Sequence, residues 1–314
     1  MQNLKLLFPL LSFIIVGKTK ADFSWTDSRE KHIDLSLGDR KIARYVYERM
    51  DPDDRERTYK PFFHLFDSKG ENFVTKGPGG KFTHHRGIYF GFSKCSAYDK
   101  DSKPVNVDTW HCKRGYQTHE KILSKGADSH KASIQSEIAW RVDDGTIFIT
   151  ENRKLTFLYN KEGRLQIDFN SELTTTQPKI LLDGDPQHAG FQFRASNEVF
   201  ESTAKQTFYI RPNDGKDAPG KTKNWPQNKD MTNLNWKAQS LVVGGQRYFT
   251  LYLDHGNNPK PSFYSERDYG RFGSYFKSSV TPDRPLLVKY RLIFGTEELS
   301  AEDCESYSNA FLIQ

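Results

Sequence analysis

The chain has 314 residues and a formal net charge of +6, from 46 basic and 40 acidic side chains. This excess of positive charge is small and is not gathered into a long basic run, which argues against nucleic acid as a partner. The length allows one large β domain or two smaller domains. Because no Pro/Ser-rich linker, low-complexity tract or internal repeat divides the sequence after its first residues, we expect one domain over residues 22–314.

The N-terminus has the order of features typical of a signal peptide. Lys5 precedes the apolar stretch 6–17, and small residues stand at positions −3 and −1 if cleavage falls after Ala21. The stretch is shorter than the roughly 20 residues of a membrane-spanning helix, so no span is expected in the mature chain. The alternatives are an uncleaved anchor or a buried strand. We expect residues 1–21 to be removed and the protein to be periplasmic or secreted, with loss of three lysines lowering the net charge from +6 to +3.

Cys95 and Cys112 are close enough in sequence to close a short loop, and an oxidising compartment would permit a disulfide between them. The alternative is that both are small buried residues. Cys304 is expected to be a buried thiol.

Alternation of apolar and polar residues with period two predicts long β-strands. It is clearest in the segments 132–142, 165–173, 248–254 and 286–294. Turn sequences at 143–145 and 160–163 predict consecutive hairpins, and the polar segment 213–235 is interpreted as a long insertion between strands. Ser300 and Asp303 form a capping-box pattern ahead of a short C-terminal helix. The sequence therefore predicts an all-β fold, a large antiparallel two-sheet β-sandwich with a short C-terminal helix. Its aromatic residues either fill the core or line a groove on a free sheet face.

The loop before the apolar strand 88–92 contains the most suggestive polar residues. A Gly- and Pro-rich sequence, 77–80, leads to His84, His85 and Arg86. Histidine can serve as acid, base or metal ligand near neutral pH, and arginine can hold a carboxylate or hydroxyl groups. Extended backbone would point the two histidines to opposite sides. The alternative is that a histidine braces the loop by bonding backbone carbonyls.

Three further histidines lie beside turns or at strand ends: His111, His188 and His255. Trp110 precedes the first and could stack on a sugar. No HExxH or His-x-His spacing occurs, so a zinc site would need residues assembled from distant loops, and no metal site is predicted. No P-loop, dinucleotide-binding glycine pattern or serine nucleophile motif occurs either, and the sequence leaves the cofactor open.

The segment His84-His85-Arg86-Gly87, followed by Ile-Tyr-Phe-Gly, resembles the HHRG segment of a family of exported bacterial proteins labelled PmoA-like. Other similar pieces follow in the same order along most of the mature chain, namely 60–64, 110–111, the turn around His188 and 254–270. The family label implies methane oxidation. We reject that activity, because the methane monooxygenase subunit of that name is a membrane protein and no spanning segment follows the N-terminal stretch here.

The resemblance implies a galactose-mutarotase-like supersandwich with a groove that binds a saccharide. In this groove we expect His84, His85 and His188 as catalytic residues, with Arg86, Trp110, His111, Asp254, His255, Arg267 and Tyr269 binding substrate. Many family members have Lys-Glu-Gly-Gly where this chain has Gln-His-Ala-Gly around His188. The expected function is a lyase, hydrolase or epimerase that uses histidine as acid or base. The alternative is a non-catalytic saccharide-binding module. A structural envelope protein would leave the histidines unexplained.

We expect the exported protein to begin at or within a few residues of Asp22, because cleavage follows the small residue at position −1. N-terminal sequencing of protein recovered from the periplasm or medium measures this directly. Retention of Met1 would contradict the signal peptide.

Overall fold

The structure, a computed structural model, describes residues 21–313, so the predicted signal peptide lies almost wholly outside the described residues. In chain order the strands are β1 (Phe23–Ser28), β2 (His32–Leu37), β3 (Arg40–Val46), β4 (Phe62–Leu65), β5 (Ile88–Phe92), β6 (Lys94–Tyr98), β7 (Pro104–Val107), β8 (Gly115–Ala127), β9 (Lys131–Val142), β10 (Ile147–Tyr159), β11 (Leu165–Thr174), β12 (Ile180–Asp183), β13 (Ala189–Arg194), β14 (Phe208–Arg211), β15 (Gly215–Lys216), β16 (Trp236–Val243), β17 (Gln246–Asp254), β18 (Ser262–Arg267), β19 (Arg271–Phe276), β20 (Ser278–Val280) and β21 (Leu286–Gly295). The helices are α1 (Arg55–Thr58) and α2 (Ala301–Leu312), with a π-helical turn over Val199–Thr203 and a 3-10 turn over Ala204–Gln206.

The predicted all-β, antiparallel architecture is confirmed. Eight strands form one sheet in the order β1-β2-β3-β4-β5-β13-β19-β18, and nine form a second in the order β15-β14-β16-β17-β21-β11-β10-β9-β8. A smaller sheet that the sequence did not predict has the order β20-β12-β6-β7. In the part of the chain that the structure describes, no helix is long and apolar enough to cross a membrane.

The two large sheets pack through their aromatic faces. Phe191 of β13 lies 4.4 Å from Phe169 of β11 and 4.8 Å from Tyr290 of β21, measured between ring centroids. Phe90 of β5 lies 5.7 Å from Phe169. Residues two apart on a strand share a face, so burying these rings turns the alternate residues of β5 and β13 to the opposite side of the eight-stranded sheet.

Helix α2 covers the outer face of the nine-stranded sheet. Its buried residues Cys304 and Phe311 belong to a second hydrophobic cluster with Trp236, Leu251 and other residues of the sheet. The predicted capping box is confirmed, since the Ser300 hydroxyl accepts a hydrogen bond from the backbone of Asp303 and the Asp303 carboxylate accepts one from the backbone of Ser300. The amphipathic helix therefore buries a face that would otherwise expose apolar side chains.

The proposed Cys95–Cys112 disulfide is wrong. Both residues are free thiols, as is the buried Cys304. Cys95 lies in the core between the large sheets, whereas the Cys112 sulfur contacts the backbone carbonyls of Tyr59 and Thr109. Burial raises the pKa of Cys112 to about 12. Proximity in sequence did not bring the two sulfurs together, because the residues face different parts of the structure.

A buried ion pair lies within the nine-stranded sheet. Arg153 donates to both carboxylate oxygens of Glu151, at 2.7 and 2.9 Å, and Trp140 and Ser171 donate to the same carboxylate at 2.9 Å. Neither charged side chain is more than 1% exposed. Such a pair is costly to break on one side only, because the remaining charge stays buried.

Glu151→Gln keeps the shape of the side chain and removes its charge. We expect the free energy of unfolding to fall by about 3–5 kcal/mol, because Arg153 is left without a counter-ion. Denaturant unfolding followed by circular dichroism measures this. Glu297→Gln, which removes the exposed partner of Arg164 at 3.2 Å, is the matched control and should cost less than about 1 kcal/mol. Equal losses in the two variants would contradict the interpretation.

His64 of β4 supplies a pH-dependent contribution to stability. Its ring is 3% exposed and stacks 3.9 Å from Phe73, and burial, followed by the nearby charge of Arg44, lowers its pKa to about 3. Below pH 6.5 the unfolded chain therefore binds a proton at this residue that the folded chain does not, and stability falls as the pH is lowered.

Between pH 6.5 and pH 5, His64 should contribute a loss of about 1.6 kcal/mol in the free energy of unfolding. We expect His64→Gln to reduce the fall between these two pH values by that amount. Denaturant unfolding of both proteins at each pH is the measurement. If the free energies of unfolding of the parent protein and His64→Gln fell equally between the two pH values, His64 would be protonated in the folded chain.

Candidate functional site

The site lies on the outer face of the eight-stranded sheet, away from the core. Tyr89, which alternates with the core residues Ile88 and Phe90, points to this face and packs with Phe62 and Trp110. The Trp110 ring lies 5.1 Å from the Tyr89 ring. These rings form an apolar base on which the loops that carry the histidines rest.

Three histidines from distant loops converge above this base. His84 comes from the turn before β5, His111 from the turn after β7 and His188 from the turn before β13. Their ring centroids are 4.6 Å (His84–His111), 4.8 Å (His111–His188) and 5.6 Å (His84–His188) apart. One ring nitrogen from each lies within 4.8 Å of the others. We call these three residues the histidine cluster.

Two members of the histidine cluster are held by the same local motif, Asp-x-x-His. Asp108 accepts hydrogen bonds from the backbone of His111 at 2.8 Å and from its Nδ1 at 2.7 Å. Asp185 lies 3.1 Å from Nδ1 of His188 and its carbonyl accepts from the His188 backbone at 3.0 Å. A carboxylate on Nδ1 fixes the tautomer that leaves the lone pair on Nε2. Both rings are therefore oriented with Nε2 free to act as a ligand.

Gly190 allows β13 to start directly after His188. It has φ of +78°, and a Cβ at this position would lie 2.0 Å from the carbonyl oxygen of Ser274 on β19. Only glycine fits both the backbone conformation and the close approach. The turn that presents His188 is thus fixed by the pairing of two strands.

His84 is held through its backbone and leaves its ring unpartnered. Lys60 donates to the backbone carbonyl of His84 at 3.0 Å and also to that of Trp110. Nε2 of His84 is buried without a hydrogen-bond partner. Burial, followed by the charges of His111 and Lys60, lowers the pKa of His84 to about 3, so the ring is neutral at pH 7.

The histidine cluster has the composition of a transition-metal site. Neutral imidazole is a favoured ligand of zinc, copper, iron and nickel. In a tetrahedral zinc site with Zn–N bonds of about 2.0–2.1 Å, the nitrogens lie about 3.3 Å apart, so the three rings would close slightly around an ion. The sequence predicted no metal site because no short spacing indicated one. The Asp-x-x-His sequence, which occurs at 108–111 and again at 185–188, could have indicated the site.

His85 lies beside the histidine cluster but faces an aromatic pocket. Its ring is 4.5 Å from that of His84, 5.0 Å from Phe82 and 6.3 Å from Tyr269. Burial and then the charge of Arg194 lower the pKa of His85 far below its usual value. A ring that stays neutral at pH 7 lacks the imidazolium proton that a general acid transfers, which disfavours His85 in that role. Tyr269, half-buried, stacks on Phe82 at 4.8 Å and so lies in the same region.

Arg86 and Trp110 have structural contacts in place of the predicted binding roles. Arg86 is 1% exposed and donates to the carbonyls of Thr83 at 2.6 Å, His85 at 2.7 Å and Glu56. It therefore braces the loop. Trp110 is also 1% exposed, so its faces are covered by protein and cannot serve as an open platform for a sugar.

The expectation that Asp254 and His255 join the site is wrong. The His255 ring packs 5.1 Å from Phe311 of α2, which covers the outer face of the other large sheet. The buried Asp254 carboxylate accepts from Asn258 at 2.7 Å and from Tyr264 at 2.6 Å. Both residues stabilise the loop after β17, on a side of the sandwich that the sequence could not assign.

A cleft of about 480 Å³ opens beside the histidine cluster. It is lined by Asp185, Pro186, Gln187, His188, Asn224, Trp225, Pro226, Gln227, Asn228 and Arg267. The predicted catalytic residue His188 and the predicted binding residue Arg267 thus share it. Trp225 was missed: it is half-exposed and packs 4.1 Å from Phe263. An aromatic residue within the polar segment 213–235 was the signal that could have identified it.

Comparison with solved structures finds only remote similarity. An aldose epimerase homologue from C. elegans is 7% identical with a TM-score of 0.40, covering 88% of this chain and 100% of that chain. A heparinase III is 10% identical with a TM-score of 0.37, and the match covers 89% of this chain but only 36% of that one. An alpha-N-acetylgalactosaminidase from Bifidobacterium bifidum is 10% identical with a TM-score of 0.37, covering 86% and 38%. At this similarity none of the three supports an activity for this chain.

Comparison at the level of sequence is more decisive. No curated protein matches the chain. A family model described as a family of unknown function, DUF6807, matches residues 32–309, while the PmoA-like label is not confirmed. Since this match covers most of the sequence, the chain belongs to the DUF6807 family.

Proposed function

We propose that this chain is an exported carbohydrate-active enzyme that holds a divalent transition-metal ion, zinc being the best fit, at His84, His111 and His188. The observation that carries the proposal is the convergence of three ligand nitrogens within 4.8 Å. Two of the rings are already oriented by aspartates, and the third has a buried nitrogen without a partner. Carboxylates in this position orient metal-ligating histidines and raise their basicity.

Three protein ligands suit a catalytic metal better than a structural one. Structural zinc sites are closed by four protein ligands, whereas catalytic sites keep a position for water or substrate. A zinc ion in such a site polarises a substrate oxygen or lowers the pKa of bound water to about 7. The metal would then supply the reactive group, and the cluster histidines would serve as its ligands instead of carrying protons as predicted from the sequence.

The cleft beside the histidine cluster has the chemistry of a saccharide site. The partly buried Trp225 lines this cleft, and an indole ring is a side chain that can pack against a sugar ring. Amides of Asn224, Gln227 and Asn228 line the same cleft. The side-chain oxygens of Asn224 and Asn228 already accept hydrogen bonds within the chain, and an amide NH2 group can donate to hydroxyl groups. Together with the resemblance of the HHRG segment, this favours a lyase, hydrolase or epimerase that acts on a saccharide.

A non-catalytic saccharide-binding module is the second candidate, favoured by the same position of Trp225. The two functions differ in their need for the metal. A binding module retains its affinity for sugar when the metal is removed, whereas the enzyme loses turnover on chelation and regains it with zinc.

The mature chain should bind one zinc ion, and His111→Ala should abolish this binding because one of three ligands is lost. Asp108→Asn should weaken zinc binding by about 10–100-fold through misorientation of His111. Isothermal titration of chelator-treated protein measures both effects, and cobalt substitution reports the coordination geometry by visible absorption. His130→Ala, which changes an exposed histidine, is the matched control. Zinc binding by His111→Ala equal to that of the parent protein would refute the metal site.

A further inference from the structure

Five buried cations surround the site without an acidic partner. In residues 21–313 the buried arginines and lysines of the rest of the sandwich form ion pairs, as Arg153 does with Glu151, and Arg211 and Lys237 with Glu266. No ion pair is formed by Lys60, Lys76, Arg86, Arg194 or Arg271, each at most 3% exposed. An unpaired buried charge is costly, so this concentration at one place points to a counter-ion that the chain itself does not provide.

Three arginines stand in register on adjacent strands of the outer face. Arg194 of β13 is paired with Arg271 of β19, and Arg271 is paired in turn with Arg267 of β18. Like charges directly opposite each other on neighbouring strands repel. We call these three residues the arginine row. Such a row is unfavourable unless negative charge lies nearby, and the carboxylate of Asp185 supplies part of that charge.

The hydrogen bonds of the arginine row leave much of its donor capacity unused. Arg194 donates to the side chain of Gln192 at 2.9 Å and to the carbonyls of Phe193 and Gln187. Arg271 donates to Ser265 at 2.7 Å. Nε of Arg194, and Nε and Nη1 of Arg271, are buried and have no partner. Burial and then its neighbour Arg271 lower the pKa of Arg194, and the opposing effect of Asp185 is smaller.

The arginine row borders the cleft. Gln187, which accepts from Arg194 at 2.5 Å, lines the cleft, as does Asn224, which accepts from Ser265 at 2.6 Å. Arg267 itself lines the cleft, and its guanidinium donates to the carbonyl of Glu266 at 2.9 Å without contacting a carboxylate. The acidic residue of the cleft, Asp185, is already engaged by His188. The remaining positive charge is therefore directed at whatever occupies the cleft.

We propose that the arginine row receives the anionic group of an acidic saccharide, a carboxylate or sulfate ester, bound in the cleft beside the histidine cluster. Arg267 contacts the oxyanion, and Arg271 and Arg194 supply the field beneath it. Guanidinium groups match such anions with paired hydrogen bonds. That the ligand is a saccharide rests on the proposed function above. The anion site rests on the arginines alone.

Isothermal titration of the zinc-loaded mature chain with matched sugars tests the proposal. We expect galacturonate or galactose 6-sulfate to bind at least about tenfold more tightly than galactose, with an affinity that falls as salt is raised. The comparison between the two acidic sugars identifies the anion. Arg267→Gln should remove most of this preference, because it weakens binding of the acidic sugar more than binding of galactose. Arg29→Gln, which changes an exposed arginine in the turn after β1, is the matched control.

The outcomes separate this proposal from the preceding one. Equal binding of acidic and neutral sugars overturns the anion site and leaves the saccharide function standing. If no sugar binds, inorganic sulfate is the probe. Thermal stabilisation by sulfate that Arg267→Gln reduces and Arg29→Gln does not would retain the anion site and reject the saccharide. If the two variants respond to sulfate in the same way, the proposal is overturned.

Discussion

The pairing of β13 with β5 and β19 is the interaction on which the rest of the structure depends. Its register sets Phe191 and Phe193 towards the core and Gln192 and Arg194 towards the outer face. A slip of one residue would move every side chain to the other face. The aromatic contacts between the large sheets oppose such a slip, because it would bury a guanidinium group where a phenyl ring now packs. Packing of the core thus determines which polar groups reach the site.

The outer faces of the two large sheets are used differently. Part of one, over β16 and β17, is covered by α2 and is apolar. The other carries loops that are tied down by polar contacts, and Lys60 is central to them because its ammonium group bonds the carbonyls of both His84 and Trp110. Burial lowers the pKa of Lys60 to about 7. Burial of this ammonium group is unfavourable, but its two hydrogen bonds hold together two loops that are distant in sequence.

Local sequence patterns predicted the local structure well. Period-two alternation identified β9, β11, β17 and β21, and the capping pattern at Ser300 identified the start of α2. These features depend on neighbours in the sequence. The placement of His255 against α2, and of Cys95 in the core with Cys112 against the backbone of Tyr59 and Thr109, depends on how the sheets stack. No pattern within a single strand contains that information.

The candidate site was predicted in part for the same reason. His84 and His188 could be selected because each stands in a turn that leads directly into a strand. Their meeting with His111 depends on the antiparallel order β5-β13, which follows from tertiary packing. The burial of Arg194 and Arg271 could not be predicted, because an arginine at an outward strand position is ordinarily solvent-exposed. Only the register shows that they stand side by side.

The residues of the candidate site come from two different kinds of segment. Trp225 and its neighbouring amides belong to the long segment between β15 and β16, whereas the histidine cluster and the arginine row are fixed by the sheet and the turns at its strand ends. Surface loops tolerate insertion and exchange far better than paired strands do. Divergence within the family can therefore alter the cleft by changing one loop, while the histidine cluster and the arginine row are kept by the pairing of the strands.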